Sequence, residues 1–321
     1  MTGALNISVI MPVYNSAKTI RATLDSVLAQ TLSPLEIILV DDGSQDETLN
    51  TLKSYSRKYP SIKVYSQSNA GPASARNRGV SYARGEWIAF LDSDDYWYPH
   101  HLENLANVIQ HHPELQWASA AFERQVGQKL IPERLRISDD QDLLDSYLSA
   151  VLKGHAINTN TVLIRREAFL EMNGFREDWQ VSEDSNLWYR FGIHFPGLGY
   201  SHVISSRYNY TPDSISNKKN EEKQGVKLSL RSLDAAIQYA QTLQVMDRRD
   251  VQQYLCNQLN AILKTCILGK SKQFRSILRD YRKQIPGFSL HWKTVAYYCL
   301  SCIPGCSPTK IAILAKSWFR R

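Results

Sequence analysis

No run approaching the ~20 apolar side chains of a bilayer-spanning helix occurs anywhere in the chain. Residues 1–6 lack a basic start, and the apolar run after them is short and broken by Pro12, so no secretory leader is expected. Cysteine is sparse and lopsided: Cys256, Cys266, Cys299, Cys302 and Cys306 all lie in the last third. Their odd number argues against a disulfide framework and predicts free thiols in a cytoplasmic setting. The spacing Cys299-x-x-Cys302-x-x-x-Cys306 lacks the second ligand pair of a structural zinc site. Two phosphate-binding signatures are missing as well. No Gly-x-Gly-x-x-Gly follows the first apolar run, and Gly269-Lys270-Ser271 is no P-loop, since Lys264 stands where the first glycine belongs. Net charge is +7, but no nucleic-acid recognition motif accompanies it, so no nucleic acid partner is expected.

What is present fits a folded protein: 43% hydrophobic and 21% charged residues over 321 positions, enough for one large α/β domain with a helical appendage. The charge is unevenly spread. Residues 218–321 hold 19 Lys and Arg against 6 Asp and Glu, leaving 19 against 25 for residues 1–217. A boundary in the polar run around Ser216 to Lys223 follows, giving a domain over 1–217 and a basic helical region over 218–321.

Short strands alternate with helices through the first part. Residues 7–11 read as a strand stopped by Pro12, with Asn15 or Ser16 capping a helix that turns Ile20, Leu24, Val27 and Leu28 to one face. Strands at 36–40, 62–65 and 87–91 alternate with helices at 46–59 and 72–83, the latter with Pro72 in its first turn. This pattern predicts a mostly parallel sheet with helices on both faces and ligands beyond the carboxyl ends of the strands. Three of those ends are polar: Pro12-Val13-Tyr14-Asn15, Asp41-Asp42-Gly43-Ser44 and Asp92-Ser93-Asp94-Asp95. Along an extended chain Asp92 and Asp94 can point the same way, where they repel unless protonated, hydrogen-bonded or bridged by a cation; the plainer alternative is a solvated acidic turn capping a helix near Pro99. The opening at Gly71-Pro72 offers backbone N–H groups to an anion, with Arg76 one turn inside. Together these ends suit a nucleotide.

Four segments in series, Pro12-Val13-Tyr14-Asn15, Asp41-Asp42-Gly43-Ser44-x-Asp46, Asn69-x-Gly71-x-x-x-Ala75-Arg76-Asn77 and Leu91-Asp92-Ser93-Asp94-Asp95, resemble in order and spacing the motifs of family 2 inverting glycosyltransferases of the bacterial surface-glycan type. The resemblance covers roughly residues 5–215 and implies a GT-A fold, a nucleotide-diphosphate sugar donor, UDP-sugar foremost, and Mg²⁺ or Mn²⁺. By that likeness Pro12, Tyr14, Asn15, Gly71 and Ser93 line the donor site, and Asp41 and Asp42 contact the nucleoside. Arg76 lies near the base or diphosphate, Asp94 binds the metal, and Asp92 sits by the ribose or the metal.

Farther on, a helix is expected at 101–111, a strand at 117–122, helical spacing through 134–153 and a strand at 161–164. His155 can touch an acceptor or serve as a hydrogen-bonded structural histidine. After Asn173-Gly174-Phe175 stands the pair Glu183-Asp184; the resemblance implies a general base at Asp184, with Glu183 next, while the residues alone also read as carboxylates in a helix's first turn. Tyr208-Asn209-Tyr210-Thr211 resembles the closing Tyr-Arg-x-His of the family, with Asn209 in place of Arg and Thr211 in place of His.

In the tail, helices are expected at 226–240 and 250–268. Lys270, Lys272, Arg275, Arg279, Arg282 and Lys283 interleave with Phe274, Ile277, Leu278 and Tyr281, which suits an anionic membrane surface or a helical subdomain with a solvated basic face. The expected protein is a cytoplasmic transferase, peripheral on the inner face of the plasma membrane, acting on a glycan or lipid-linked glycan. Two other readings stand beside it: a sugar-1-phosphate nucleotidyltransferase, whose glycine- and arginine-rich signature is missing after the first strand, and a non-catalytic membrane-bound scaffold of the same fold.

Overall fold

The computed structural model describes residues 5–134, 138, 141–153, 157–179, 182–210, 222–268, 273–291 and 294. The chain divides into two compact units, Met1–Pro212 and Asp213–Arg321.

The first unit opens with β1 (Ile7–Val13), α1 (Ile20–Leu28), β2 (Glu36–Asp41), α2 (Thr48–Lys58), β3 (Ile62–Ser66), α3 (Pro72–Tyr82) and β4 (Trp87–Phe90). Every residue of β1, β2 and β4 is buried, which requires cover on both faces of the sheet. On one face Val9, Met11 and Val13 join Ile20, Leu24 and Val27 of α1 in the core. On the other lies α3, so close that a Cβ on Gly79 would stand 2.4 Å from Ile10 Cγ2.

Pro12 does not stop β1. The strand runs on to Val13, with Pro12 in register with Val40. Residues of one parity point their backbone polar groups to β2 and the other parity to β4; Ile10 serves β4, whose pairing ends at Phe90. Pro12 therefore faces the side where the neighbouring strand has ended, and its missing N–H breaks no ladder bond. Nor do Asn15 or Ser16 cap α1, which begins four residues after Ser16 with Thr19 at its N-cap position.

Then follow β5 (Tyr96–Trp97), α4 (His101–His111), β6 (Trp117–Val126), β7 (Lys129–Glu133), β8 (Leu143–Leu144), α5 (Tyr147–Leu152), a 3₁₀ turn (Thr159–Thr161), β9 (Leu163–Arg165), α6 (Arg166–Glu171), α7 (Glu183–His194) and β10 (Leu198–Tyr210). Among the described residues of 134–153, helical spacing holds for α5 alone; Leu144 lies in a strand instead. Among the described residues the sheet has ten strands, in the order β3-β2-β1-β4-β9-β6-β10-β5, with β7 on β6 and β8 on β10. Only β9 lies between β4 and β6, antiparallel to both, so β6 runs the same way as β4. β10 is parallel to β6. The carboxyl ends of β1, β2, β4, β6 and β10 therefore reach one edge.

The second unit contributes α8 (Glu222–Thr242), α9 (Arg249–Leu268) and α10 (Phe274–Tyr281). Leu233 and Ile237 of α8, Leu255, Leu259 and Ile262 of α9, and Phe274 and Ile277 of α10 are buried, whereas Arg275, Arg279, Arg282 and Lys283 are exposed. No helix among the described residues is long and apolar enough to cross a membrane. Cys256 and Cys266 are free thiols; Cys299, Cys302, Cys306, Lys270, Lys272 and the apolar stretch from 295 onward lie outside the described residues.

Candidate active site

Beyond β4 the chain does not stay extended. The Asp95 N–H donates to the Asp92 carbonyl at 3.1 Å, so residues 92–95 form a turn, and the alternation that would align Asp92 with Asp94 is absent. The turn caps nothing either: α4 starts at His101, with His100 at its N-cap position. Asp95 is only 2% exposed. Its carboxylate accepts the Asn209 N–H at 2.9 Å and Asn160 Nδ2 at 2.7 Å, and burial together with Asp92 and Asp94 pushes its proton affinity up. Asp94 lies at the exposed rim, yet the surrounding protein and the Asp92 charge raise its carboxyl to about 6. Ser93 is scaffold, its hydroxyl 2.6 Å from Ser16 Oγ and its carbonyl accepting from Thr23 Oγ1.

Arg76, on the buried face of α3, donates to Asp92 Oδ1 at 2.6 Å and to Glu183 Oε1 at 3.1 Å. Its guanidinium lies over the Phe175 ring at 5.3 Å. Burial alone would weaken its hold on the proton; Asp92, Glu183 and Asp184 more than reverse this, and it stays charged. Glu183 and Asp184 open α7, where the helix dipole favours negative charge. Burial and the Asp184 charge push Glu183 upward, with Arg76 offsetting part of the shift. Asp184 is in no ion pair among the described residues and accepts the Ser185 N–H at 2.6 Å. The Tyr208 phenol completes the cluster, pushed up to about 12 by burial and by Asp95, Asp94, Asp92 and Asp184. Five carboxyl groups thus converge with Arg76 as the cation among them.

At the end of β2, where the nucleoside is expected, one carboxylate is engaged by the chain itself and the other is not. Asp42 is buried, and its carboxylate accepts Gln67 Nε2 and the Ala70 N–H on Oδ1 and the Gly71 N–H on Oδ2, all within 2.9 Å. The anion received by the Gly71 amide is therefore the chain's own carboxylate. Asp41 is equally buried, but its Oδ1 has no partner. Such an orphan acceptor costs about 1–3 kcal/mol until something donates to it. Asn15, in the left-handed region at φ 46, donates its N–H to Ser44 Oγ and accepts the Gln45 N–H, tying the β1 end to the β2 end; Tyr14 is 47% exposed beside it.

The Gly174-Phe175 turn sets the ring beneath Arg76. Asn77 accepts the Phe175 N–H at 2.9 Å and donates to the Phe175 carbonyl at 2.9 Å, and Arg190 donates to the Gly174 carbonyl at 2.6 Å. Gly174 has φ +56, and a Cβ there would stand 2.5 Å from Asn77 Oδ1. Gly174→Ala is expected to cost about 2–4 kcal/mol, from left-handed strain plus overpacking, read as a lower urea midpoint at unchanged slope.

Residue types alone did not reveal Asn160, which sits in a polar run with no motif of its own, nor Gln67. His155, Thr211, Lys218 and Lys219 lie outside the described residues.

A divalent cation fits the chemistry of this edge. Asp94 offers hard oxygen at a surplus of negative charge, while Asp92 is already drawn to Arg76. Among the described residues no three His, Cys, Asp or Glu side chains are grouped to hold a metal by themselves. One or two carboxylates completed by phosphate oxygens is the usual Mg²⁺ arrangement.

Comparison with known proteins gives the family and the fold. The profile of glycosyl transferase family 2 matches residues 8–170. An uncharacterized glycosyltransferase of Rickettsia felis is 34% identical over 231 residues, 67% of this chain and 36% of that protein. The putative glycosyltransferase EpsH of Bacillus subtilis is 28% identical over 206 residues, 64% of this chain and 60% of its own length. The chain thus spans less than two thirds of these curated relatives. Among solved structures, S. aureus TarS 1–349 in complex with UDP has a TM-score of 0.57 at 20% identity, covering 87% of this chain and 92% of that one. The mannosyltransferase PcManGT of Pyrobaculum calidifontis, in complex with GDP-Man and Mn²⁺, has a TM-score of 0.52 at 16% identity, covering 100% and 89%. These two likenesses concern the fold, a mixed sheet flanked by helices of the GT-A type. With the family profile spanning half of the chain, this protein belongs to glycosyl transferase family 2.

Proposed function

We propose that the protein is an inverting transferase that moves a sugar from a nucleotide-diphosphate donor, UDP-sugar foremost, to a hydroxyl of a glycan or lipid-linked glycan. The observation that carries this reading is the convergence of Asp94, the Arg76-held Asp92 and the ion-pair-free Asp184 on one sheet edge. Asp184 takes the proton of the acceptor hydroxyl as its oxygen forms a bond to the anomeric carbon. The bond from that carbon to the diphosphate oxygen breaks, and attack opposite the leaving group inverts the centre. Asp184 suits the base better than Glu183, whose carboxylate is engaged by Arg76. Mg²⁺ or Mn²⁺, held by Asp94 with Asp92 beside it, would neutralise the departing diphosphate. Arg76, seated over the Phe175 ring, orients Asp92, and the unpartnered Asp41 Oδ1 awaits a donor N–H or O–H from the nucleoside.

The reading is tested by melting the protein with a panel of nucleotide sugars and Mn²⁺. One UDP-sugar at 100 times its Kd should add about 2.7 kcal/mol of stability. Equal melting with every donor would overturn it. Metal affinity should also depend on pH. Binding needs the Asp94 carboxylate, whose pKa is raised to about 6, so Mn²⁺ affinity should level off above that pH and fall below it. The drop should approach about tenfold per pH unit, by calorimetry.

The acceptor and the place of action are proposed from the basic second unit. On α10 the buried Phe274 and Ile277 leave Arg275 and Arg279 exposed, with Arg282 and Lys283 exposed just beyond its end, an arrangement that supports peripheral attachment to an anionic membrane from the cytoplasmic side.

A further inference from the structure

The Asp94 carboxylate has, among the described residues, only its own backbone N–H as a hydrogen-bond partner. Its direction is therefore fixed through the main chain of the turn. Ser93 is tied to Ser16 and Thr23 on the amino-terminal side. On the other side one residue, among those described, bonds to both Asp94 and Asp95. Asn209, on β10, donates its side-chain amide to the Asp94 carbonyl and its backbone N–H to Asp95 Oδ1 at 2.9 Å. Asn160 closes the bracket from the 3₁₀ turn, donating to Asp95 Oδ2 at 2.7 Å. The Asn209 amide is neutral, so it restrains the turn without adding a counter-charge to a cluster that has Arg76 as its cation.

We propose that Asn209 is a positioning residue for metal and donor: by holding the Asp94 carbonyl it sets where the Asp94 carboxylate points, and by its neutrality it keeps that carboxylate available to a cation. The proposal rests on the reading of Asp94 as a metal ligand. It assigns to β10 a part in the donor site that acts through the turn at Asp94 and Asp95. Groups that orient a metal ligand in this indirect way typically change affinity by about 10–100-fold when removed.

Asn209→Leu keeps nearly the shape of the side chain and removes the donor. Asn209→Arg keeps donors and adds a charge. The full chain and both variants are titrated with MnCl₂ by calorimetry in the presence of UDP, whose diphosphate completes the site, with melting followed in parallel and Asp94→Ala in the same series. Asn209→Leu should lose about tenfold or more in Mn²⁺ affinity, and Asn209→Arg should lose affinity as well. Melting of the leucine variant should stay close to that of the wild type. If Asp94→Ala abolishes Mn²⁺ binding while Asn209→Leu changes it by less than about threefold, the positioning role is overturned and the metal reading stands. If Asp94→Ala binds Mn²⁺ as the wild type does, the metal reading itself fails. Should leucine prevent folding, Asn209→Ala in the same titration decides by the same threshold.

Discussion

Asp94→Ala should abolish metal-dependent donor binding while leaving the protein folded. Asp94 is an exposed residue at the rim of the cluster, so its removal relieves repulsion with Asp92 and leaves the buried core in place. The loss falls on the ligand. Asp92, held by Arg76 at 2.6 Å, is poorly placed to replace it, because drawing Asp92 to a metal would strip a buried arginine of a partner. Charge neutralisation at a leaving diphosphate is worth several kcal/mol, so transfer should fall by about 10³-fold or more. Calorimetry with UDP and Mn²⁺ reads the binding side directly. Unchanged affinity for the pair in Asp94→Ala would remove Asp94 from the metal site.

Asp184→Asn should separate binding from chemistry. The amide keeps the shape of the side chain at the start of α7 and removes its basicity. Donor affinity, set at Asp94, Arg76 and the nucleoside end, should hold within a few-fold, while transfer drops by about 10²–10⁴-fold. Glu183→Gln is the informative partner. Its carboxylate pairs with Arg76, so its loss should weaken donor binding and stability together, with kcat and KM both affected. The opposite pattern, with transfer surviving in Asp184→Asn and lost in Glu183→Gln, would move the base to Glu183.

How much of this was readable beforehand depends on the distance over which the cause acts. Local causes were legible. The buried strands β1, β2 and β4 announce themselves as short apolar runs, and α3 as a helix with Pro72 in its first turn. The polar strand ends converge because parallel strands put their carboxyl ends on one edge. Causes acting across the fold were not. Nothing local to Asp42 says that its carboxylate will be taken by the Ala70 and Gly71 amides. The turn at residues 92–95 is fixed partly by Asn160 and Asn209, which are 65 and 114 positions from Asp95. Pro12 misled for the same reason: whether a proline ends a strand depends on which neighbour its N–H would have met.

The placement of β9 has a consequence for how the chain is made. Among the described residues its three residues alone join β4 to β6 in the sheet, and they arrive only after β6, β7 and β8 have been synthesised. Until Arg165 has left the ribosome, the four-stranded first half presents an open, apolar edge at β4, and the later strands have no seat against it. An unpaired apolar edge invites association with other chains. Completion of the sheet is therefore a late, non-local step that pays its loop-closure entropy before any pairing rewards it. A product ending before Leu163 should be the aggregating species, and the nascent chain is most exposed over this interval.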